Sequence, residues 1–195
     1  MNDSGLKMDV ITAIQGGRSV RSYTPGKLDK DDVQSLLEAA VRAPTALHEE
    51  PWAFVVLQDV GILKWLSDRW KASLTEEVIQ MYANSDDKFS ERFTDPDFNI
   101  FYNAGTLIVI CAKPGGKFIA ADCWLAAENL MLAAHAMGLG TCVIGSAASV
   151  LNTPETKTEL GIPGEFIVHA PIIVGVPNED SVPASRKEPQ VLVWK

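Results

Sequence analysis

Residues 118–146 read FIAADCWLAAENLMLAAHAMGLGTCVIGS, and this stretch decides the fold. Residues 118–137 are apolar on nearly all sides and rich in small residues, which is typical of a helix at the centre of a protein or at an interface. Four polar residues interrupt the stretch, so we interpret it as a buried helix and not as a membrane span. Gly138 and Gly140 end the helix, and residues 141–144 predict a strand.

The segments on either side predict further helices and strands that interleave without a strict βαβ repeat. Spacing, capping residues and β-branched runs predict helices over 9–15, 29–41 and from 153, and strands over 52–57, 107–112 and 166–176. Pro171 has no backbone N–H, so it predicts that the last strand lies at a sheet edge or beside a bulge. We therefore predict a single domain over residues 1–195, of the α+β class.

The middle of the chain predicts a long amphipathic segment over 63–81 and then a polar excursion over 84–103 that carries several aromatic residues. A stretch of this composition and length is typical of a surface lid. Phe98, Phe101 and Tyr102 are able to stack on a flat substrate, but packing beneath the loop is the favoured interpretation.

The C-terminal residues Val191–Trp194 form an apolar, β-like run. Such a strand needs a partner, either in its own sheet or in that of a second subunit. Together with the apolar central helix, the run predicts a homodimer, since a lone domain would expose a large apolar patch.

Composition limits the classes of partner. The net charge is −8 and the isoelectric point is near 4.9, which argues against a nucleic-acid or anionic-membrane surface. The three cysteines lie in apolar runs without CxxC spacing, which indicates a reduced, cytoplasmic protein. Residues 1–9 lack the apolar core of a signal peptide.

Two basic groups carry candidate binding chemistry. Arg18, Ser19 and Arg21 follow the first helix and bring two guanidinium groups and a hydroxyl together, as the binding of a phosphate or a polyol requires. The alternative is a solvated surface loop. The pair Arg186-Lys187 is either a second phosphate contact or an ordinary basic pair.

Two loops carry candidate contacts to a planar ligand. The loop 43–52 has prolines at both ends of its central part, and Thr45 and His48 can offer hydrogen bonds there; otherwise it is a helix-to-strand turn. The glycines of 138–146 allow backbone N–H groups to approach a flat ring, or they are simply a helix cap and a strand end. The spacing is not that of a GxGxxG dinucleotide site.

Taken in order, these four groups resemble the FMN-dependent nitroreductase family over residues 9–195. Members carry an Arg-Ser-Val-Arg-like string near the N-terminus and an Ala-Pro-Ser-Ala-x-Asn-x-Gln-Pro-Trp loop before the first strand. Members then have an apolar helix that leads into Gly-Leu-Gly-Ser/Thr. They also have an Arg-Lys-like pair near the C-terminus. The helix sequence AENLMLAA at 127–134 also looks like the central helix of that family.

The resemblance implies a mostly antiparallel sheet flanked by helices, a dimer with swapped C-terminal segments, and an FMN site at the dimer interface. The residues that match the family's cofactor contacts are, for the phosphate and ribityl chain, Arg18, Ser19, Arg21 and Arg186; for the ring of the other subunit's flavin, Pro44, Thr45, Ala46 and His48; and beside N5 and O4 of the ring, Ile144, Gly145 and Ser146.

Four positions depart from the family pattern. Gly17 stands where the family often has an Arg, and Ala184 where it often has a Lys; His48 and Glu50 replace an Asn and a Gln. Either the loss of two cations weakens FMN binding, or the new carboxylate and imidazole tune the choice of substrate.

The resemblance implies a ping-pong oxidoreductase in which NADH or NADPH reduces FMN and a nitroaromatic, quinone, enone or flavin acceptor then takes the hydride. The alternatives are a flavin enzyme of the same fold with other chemistry (reductive dehalogenation, azoline oxidation or flavin breakdown) and a non-catalytic flavin-binding protein. No Ser-His-Asp, metal-ligand or Walker pattern is present, and we assign no catalytic side chain. His135 and His169 lie in apolar stretches, which favours core positions for both.

Overall fold

The computed structural model describes residues 8–74, 95, 97–179 and 186–195. Its helices are α1 (Val10–Gly16), α2 (Lys30–Ala40), α3 (Val60–Ala72), α4 (Ile119–Ala136), α5 (Ala147–Leu151) and α6 (Pro154–Leu160), with one 3-10 turn at Ala46–His48. Its strands are β1 (Trp52–Leu57), β2 (Thr106–Ala112), β3 (Gly140–Val143) and β4 (Ile167–Gly175). This confirms the helices predicted over 9–15, 29–41, 118–137 and from 153 and the strands predicted over 52–57, 107–112, 141–144 and 166–176, within a residue or two at their ends, whereas α5 was not predicted.

The helix starts follow from side-chain caps that the sequence already indicated. The Asp9 carboxylate accepts the N–H groups of Ile11 and Thr12, and the Asp29 carboxylate accepts that of Asp32 at 2.8 Å. Thr153 caps α6, in which Pro154 occupies the first helical position and needs no hydrogen bond for its nitrogen.

The four strands form one sheet in the order β1-β2-β4-β3, and every pairing within it is antiparallel. This confirms the predicted class and the antiparallel sheet. β4 is an inner strand, so the edge position that Pro171 suggested is wrong. The bulge is confirmed: the register between β2 and β4 shifts at Ile110/Cys111, so that His169 is skipped in the pairing. The Pro171 carbonyl accepts the N–H of Ile144, at 2.9 Å.

The sheet has a hydrophobic core on each face. All seven residues of β2 are buried, and their side chains alternate between the two faces. One face packs against α2 and α4, while α3, α5 and residues 98–104 cover the other. The amide of Asn129 on α4 donates to the carbonyl of Ala39 at the end of α2, which ties the two helices of the first layer together.

The predicted amphipathic segment and lid fall partly outside the described residues. α3 ends at Ala72, and residues 75–94 and 96 are not described, so most of the predicted lid stays a prediction. Within the described part, Phe101 is fully buried, and Phe98 and Tyr102 pack half-buried against the second core. This confirms the packing interpretation for Phe101.

The described tail at 186–195 contains no strand, and its apolar side chains face solvent: Leu192 is 85% exposed and Trp194 is 89% exposed. Pairing with the chain's own sheet is therefore not found among the described residues. Pairing with a second subunit stays a prediction.

Candidate functional site

The segment that follows α1 adds to the open edge of the sheet beside β3. Ser19 forms a parallel bridge with Thr141, and the N–H of Val20 donates to the carbonyl of Thr141 at 2.9 Å. Further along, Tyr23 bridges to Pro177, just beyond the end of β4. These bonds fix the Arg-Ser-Val-Arg string in an extended form beside the glycine-bounded strand.

Two glycines allow this close approach. A Cβ on Gly140 would stand 2.8 Å from the side chain of Val20, and one on Gly175 would stand 2.9 Å from the ring of Tyr23. Both distances are too short for real carbon contacts, so these positions need glycine for space. The glycine that opens β3 therefore has a packing role as well as ending the helix.

A cleft of about 480 Å³ lies between the end of α1, one side of α4 and β3. Arg18, Ser19 and Arg186 line it, as three of the predicted cofactor contacts. The structure therefore brings the N-terminal string and the C-terminal basic residue together, although they are far apart in sequence. Residues 138–143 form the floor beside them.

The Arg18 side chain is bound at the C-terminal end of α1. Its Nη1 donates to the carbonyls of Gln15 at 2.8 Å and Gly17 at 2.6 Å, where the helix dipole is negative. Its Nε is buried and has no hydrogen-bond partner in the described part of the chain. A buried donor without a partner is costly, so this geometry fits an anionic oxygen supplied by a ligand.

Arg21 lines a second, smaller pocket of about 190 Å³ with Ile144, Gly145 and Ser146. Its guanidinium lies 5.9 Å from the centre of the Tyr102 ring, a cation–π contact. Cys142 and Val143 line both spaces, so the two adjoin across β3. Arg21 is thus separated from Arg18, as expected for side chains in an extended segment.

Two titratable groups near this junction are kept neutral. Burial raises the pKa of the Cys142 thiol, while the Arg21 charge and hydrogen bonds from Ser19 and Arg21 lower it in part. Burial, with smaller contributions from Cys142 and Tyr102, also raises the pKa of Tyr23 despite the opposing charge of Arg21. The Tyr23 hydroxyl donates to the Val20 carbonyl at 2.6 Å, and this bond needs the protonated form.

The loop at 44–48 lies apart from both spaces: Pro44, Thr45, Ala46 and His48 line neither. The N–H of Ala46 donates to Oδ1 of the buried Asp122 on α4, at 3.2 Å. Leu47 and His48 have positive φ angles, 54° and 57°, which non-glycine residues rarely adopt. The predicted role of this loop at another subunit's flavin stays a prediction.

His135 is the residue that sequence reasoning misplaced. The apolar stretch favoured a core position, but the structure places its half-buried ring on the wall of the larger cleft, against Gly16 of α1. The sequence holds no local indication of this position, because it depends on how α1 packs against α4. His169 is half-buried in β4, and burial lowers its pKa.

Comparison with known proteins gives a family match over residues 14–176, to the model described as the nitroreductase family. A protein of Archaeoglobus fulgidus, named as an NADH dehydrogenase/NAD(P)H nitroreductase, is 29% identical over 177 residues, which cover 88% of this chain and 87% of the relative.

Among solved structures, a nitroreductase with bound FMN from Bacteroides fragilis is similar with a TM-score of 0.77 and 28% identity, over 96% of this chain and 98% of that one. An FMN-bound iodotyrosine deiodinase shares the fold, with a TM-score of 0.72 and 21% identity over 94% of this chain and 97% of its own. In the described part of the chain, no helix is both long and apolar enough to cross a membrane.

Proposed function

This chain belongs to the nitroreductase family, and on that premise we propose that it binds FMN and passes hydride from NADH or NADPH to an organic acceptor. The observation that carries the proposal is the buried, unpartnered Nε of Arg18 in the cleft that it shares with Ser19 and Arg186. An FMN-bound structure from Bacteroides fragilis, 28% identical to this chain, supports the choice of anion.

The residues of the cleft would hold FMN by its polar end. Arg18 and Arg186 supply charged donors for the phosphate, and the exposed Ser19 hydroxyl is available to the ribityl chain. Gly138 lines the cleft without a side chain, and a Cβ built there would meet nothing within 4 Å, so the glycine leaves this space open to a ligand. When bound, FMN supplies the two-electron chemistry, and the protein supplies binding and orientation.

The end of β3 would face the reactive edge of the ring. Ile144 donates its N–H to Pro171, whereas the N–H groups of Gly145 and Ser146 have no partner within the described residues. Backbone donors of this kind stabilise negative charge that develops on a ligand atom. These two N–H groups therefore suit the N5 and O4 side of the ring, and no side chain is required as an acid or nucleophile.

The proposal includes a homodimer. On the surface, Val10, Ile11 and Ile14 of α1 are each more than half exposed, and so are Val191–Trp194 of the tail. Exposure of so many apolar side chains is typical of an interface. A second copy would cover them, and its 44–48 loop would complete the flavin site. All three cysteines are buried and free, which supports a cytoplasmic location.

The test is the visible absorption spectrum of the purified protein, before and after anaerobic NADH or NADPH. We expect a flavin band that is lost on reduction and returns on addition of a nitroaromatic or quinone. A colourless protein that takes up no added FMN would overturn the proposal. If the protein binds FMN but oxidises neither NADH nor NADPH with any acceptor, the alternative of a non-catalytic flavin-binding protein remains. If it does turn over, product analysis distinguishes acceptor reduction from dehalogenation, azoline oxidation and flavin breakdown.

A further inference from the structure

His135 lies in the last turn of α4, where this helix packs against the end of α1. Its imidazole occupies the space that a side chain at Gly16 would need, since a Cβ built there would collide with Nε2. The ring therefore stands beside the helix end that also holds Arg18. Both side chains line the larger cleft.

The fixed charges of the cleft cancel. Among the described residues that line it, Arg18 and Arg186 are positive, whereas Glu128 on α4 and Glu179 after β4 are negative. Gly17, between the end of α1 and Arg18, also lines the cleft and adds no charge. A phosphate with one to two negative charges therefore meets no net positive charge from these four groups.

A positive charge on His135 would change this balance. The carbonyls of Gln15 and Gly17 at the end of α1 already bind Arg18, and the negative end of a helix dipole favours cations beside it. Histidine is the side chain that gains and loses charge around neutral pH. The charged groups that line the cleft with His135 are Glu128, Glu179, Arg18 and Arg186.

We propose that His135 is the third cation of this cleft: its protonated imidazole binds the phosphate end of FMN. FMN affinity then rises as the pH falls through the range in which imidazole is protonated. The proposal rests on the proposed function, because it takes FMN as the ligand of the cleft.

The experiment measures the FMN dissociation constant by fluorescence quenching between pH 5.5 and 8.5 for the wild type, His135→Gln and His135→Lys. We expect wild-type affinity to be about tenfold higher at the acid end, the usual size of a hydrogen bond to a charged group. The Gln variant should lack this gain and the Lys variant should bind tightly throughout. His169→Gln, which changes a histidine outside the cleft, should behave as the wild type does.

Two controls isolate the phosphate contact. The second ionisation of the FMN phosphate lies near pH 6 and acts in the opposite direction, and the Gln variant measures this background. Riboflavin, which lacks the phosphate, should bind with no dependence on His135. In the wild type, FMN binding at neutral pH should be accompanied by the uptake of a proton. Calorimetry in two buffers of different ionisation enthalpy measures this uptake. The measurement needs only the wild type, so it remains available if a variant fails to fold.

The outcomes separate the two proposals. If FMN binds but the wild type and His135→Gln share one pH profile and the wild type takes up no proton, the role of His135 is overturned and the proposed function stands. If FMN does not bind at any pH, both fall.

Discussion

The side chain of Val20 fills the space directly over Gly140, where an added Cβ would stand only 2.8 Å away. The N–H of Val20 also donates to the carbonyl of Thr141, so backbone and side chain together fix this segment on β3. Ser19 and Arg21 flank Val20, and they line the cleft and the smaller pocket respectively. The distance between the N-terminal string and β3 is therefore set by one glycine.

Gly140→Ala should move the string away from β3. Val20 is β-branched and stiff, so the clash should cost about 1–3 kcal/mol of unfolding free energy and should weaken FMN binding as well. Thermal unfolding and an FMN titration measure the two effects. Val20→Ala in the same chain should restore only part of both, because it removes the two methyl groups but keeps the Val20 Cβ, which itself stands 2.8 Å from the added Cβ. Gly164→Ala, where an added Cβ meets nothing within 4 Å, is the control. Equal losses in the control would contradict the argument.

Arg18→Ala should weaken FMN binding by about tenfold to a hundredfold, because a buried hydrogen bond to a charged group contributes about 1.5–3 kcal/mol. Arg18→Lys should recover part of this, since a lysine supplies the charge without the planar fork. Lys30→Ala removes an exposed cation that lines neither pocket and should leave the titration unchanged. An Arg18→Ala protein that binds FMN as tightly as the wild type would show that the unpartnered Nε has no ligand role.

Local features of the fold were predictable because their causes are local. Asp9 and Asp29 cap helices through carboxylates two or three residues away, and β1 starts and ends where its apolar run does. The position of Pro171 was not predictable, because strand order depends on pairings between distant segments. Both an edge and a bulge suit a residue without an N–H, and only the assembled sheet decides between them.

In the candidate site, too, local features were predictable and features that depend on distant segments were not. The motif residues were found by their order in the chain, but their division between two adjoining spaces follows from the bridge between Ser19 and Thr141. The position of His135 on the cleft wall depends on how α1 meets α4 at Gly16. An apolar helix indicates burial and does not indicate which of its sides is left open to a ligand.

Asp122 should prove to be an anchor for the 44–48 loop. Its Oδ1 accepts the N–H of Ala46 at 3.2 Å, and its Oδ2 is buried without a partner in the described structure. Asp122→Ala should therefore lower stability by about 1–3 kcal/mol, since it leaves the Ala46 N–H unsatisfied. Asp122→Asn keeps an acceptor and removes a buried charge, so it should be close to the wild type or more stable. Chemical denaturation ranks the three proteins, and an Asn variant as unstable as the Ala variant would show that the charge itself is required.

The buried thiols should make the protein sensitive to alkali. Burial, aided by neighbouring Cys111 and Asp122, raises the pKa of Cys123 from 9.0 to about 12. A pKa that is higher in the folded state means stability that is complete below pH 9 and is lost as the pH rises towards 12. Unfolding midpoints measured from pH 7 to 11 should fall above pH 9, and less steeply in Cys123→Ala. Native protein at pH 8 should also resist iodoacetamide at all three cysteines; rapid alkylation of Cys123 would contradict the burial argument.

Removal of residues 191–195 should dissociate the proposed dimer. The run Val191–Trp194 finds no strand in its own sheet among the described residues, and Trp194 is 89% exposed. If a second subunit covers it, truncation should convert a dimer to a monomer at micromolar concentration in light scattering. FMN binding should weaken with it, because the partner's loop is then lost. Val60→Ser changes an apolar side chain that is also exposed, at 74%, but lies on α3, and it should leave the dimer intact. A truncated protein that remains dimeric and fully loaded with FMN would show that the tail does not hold the subunits together.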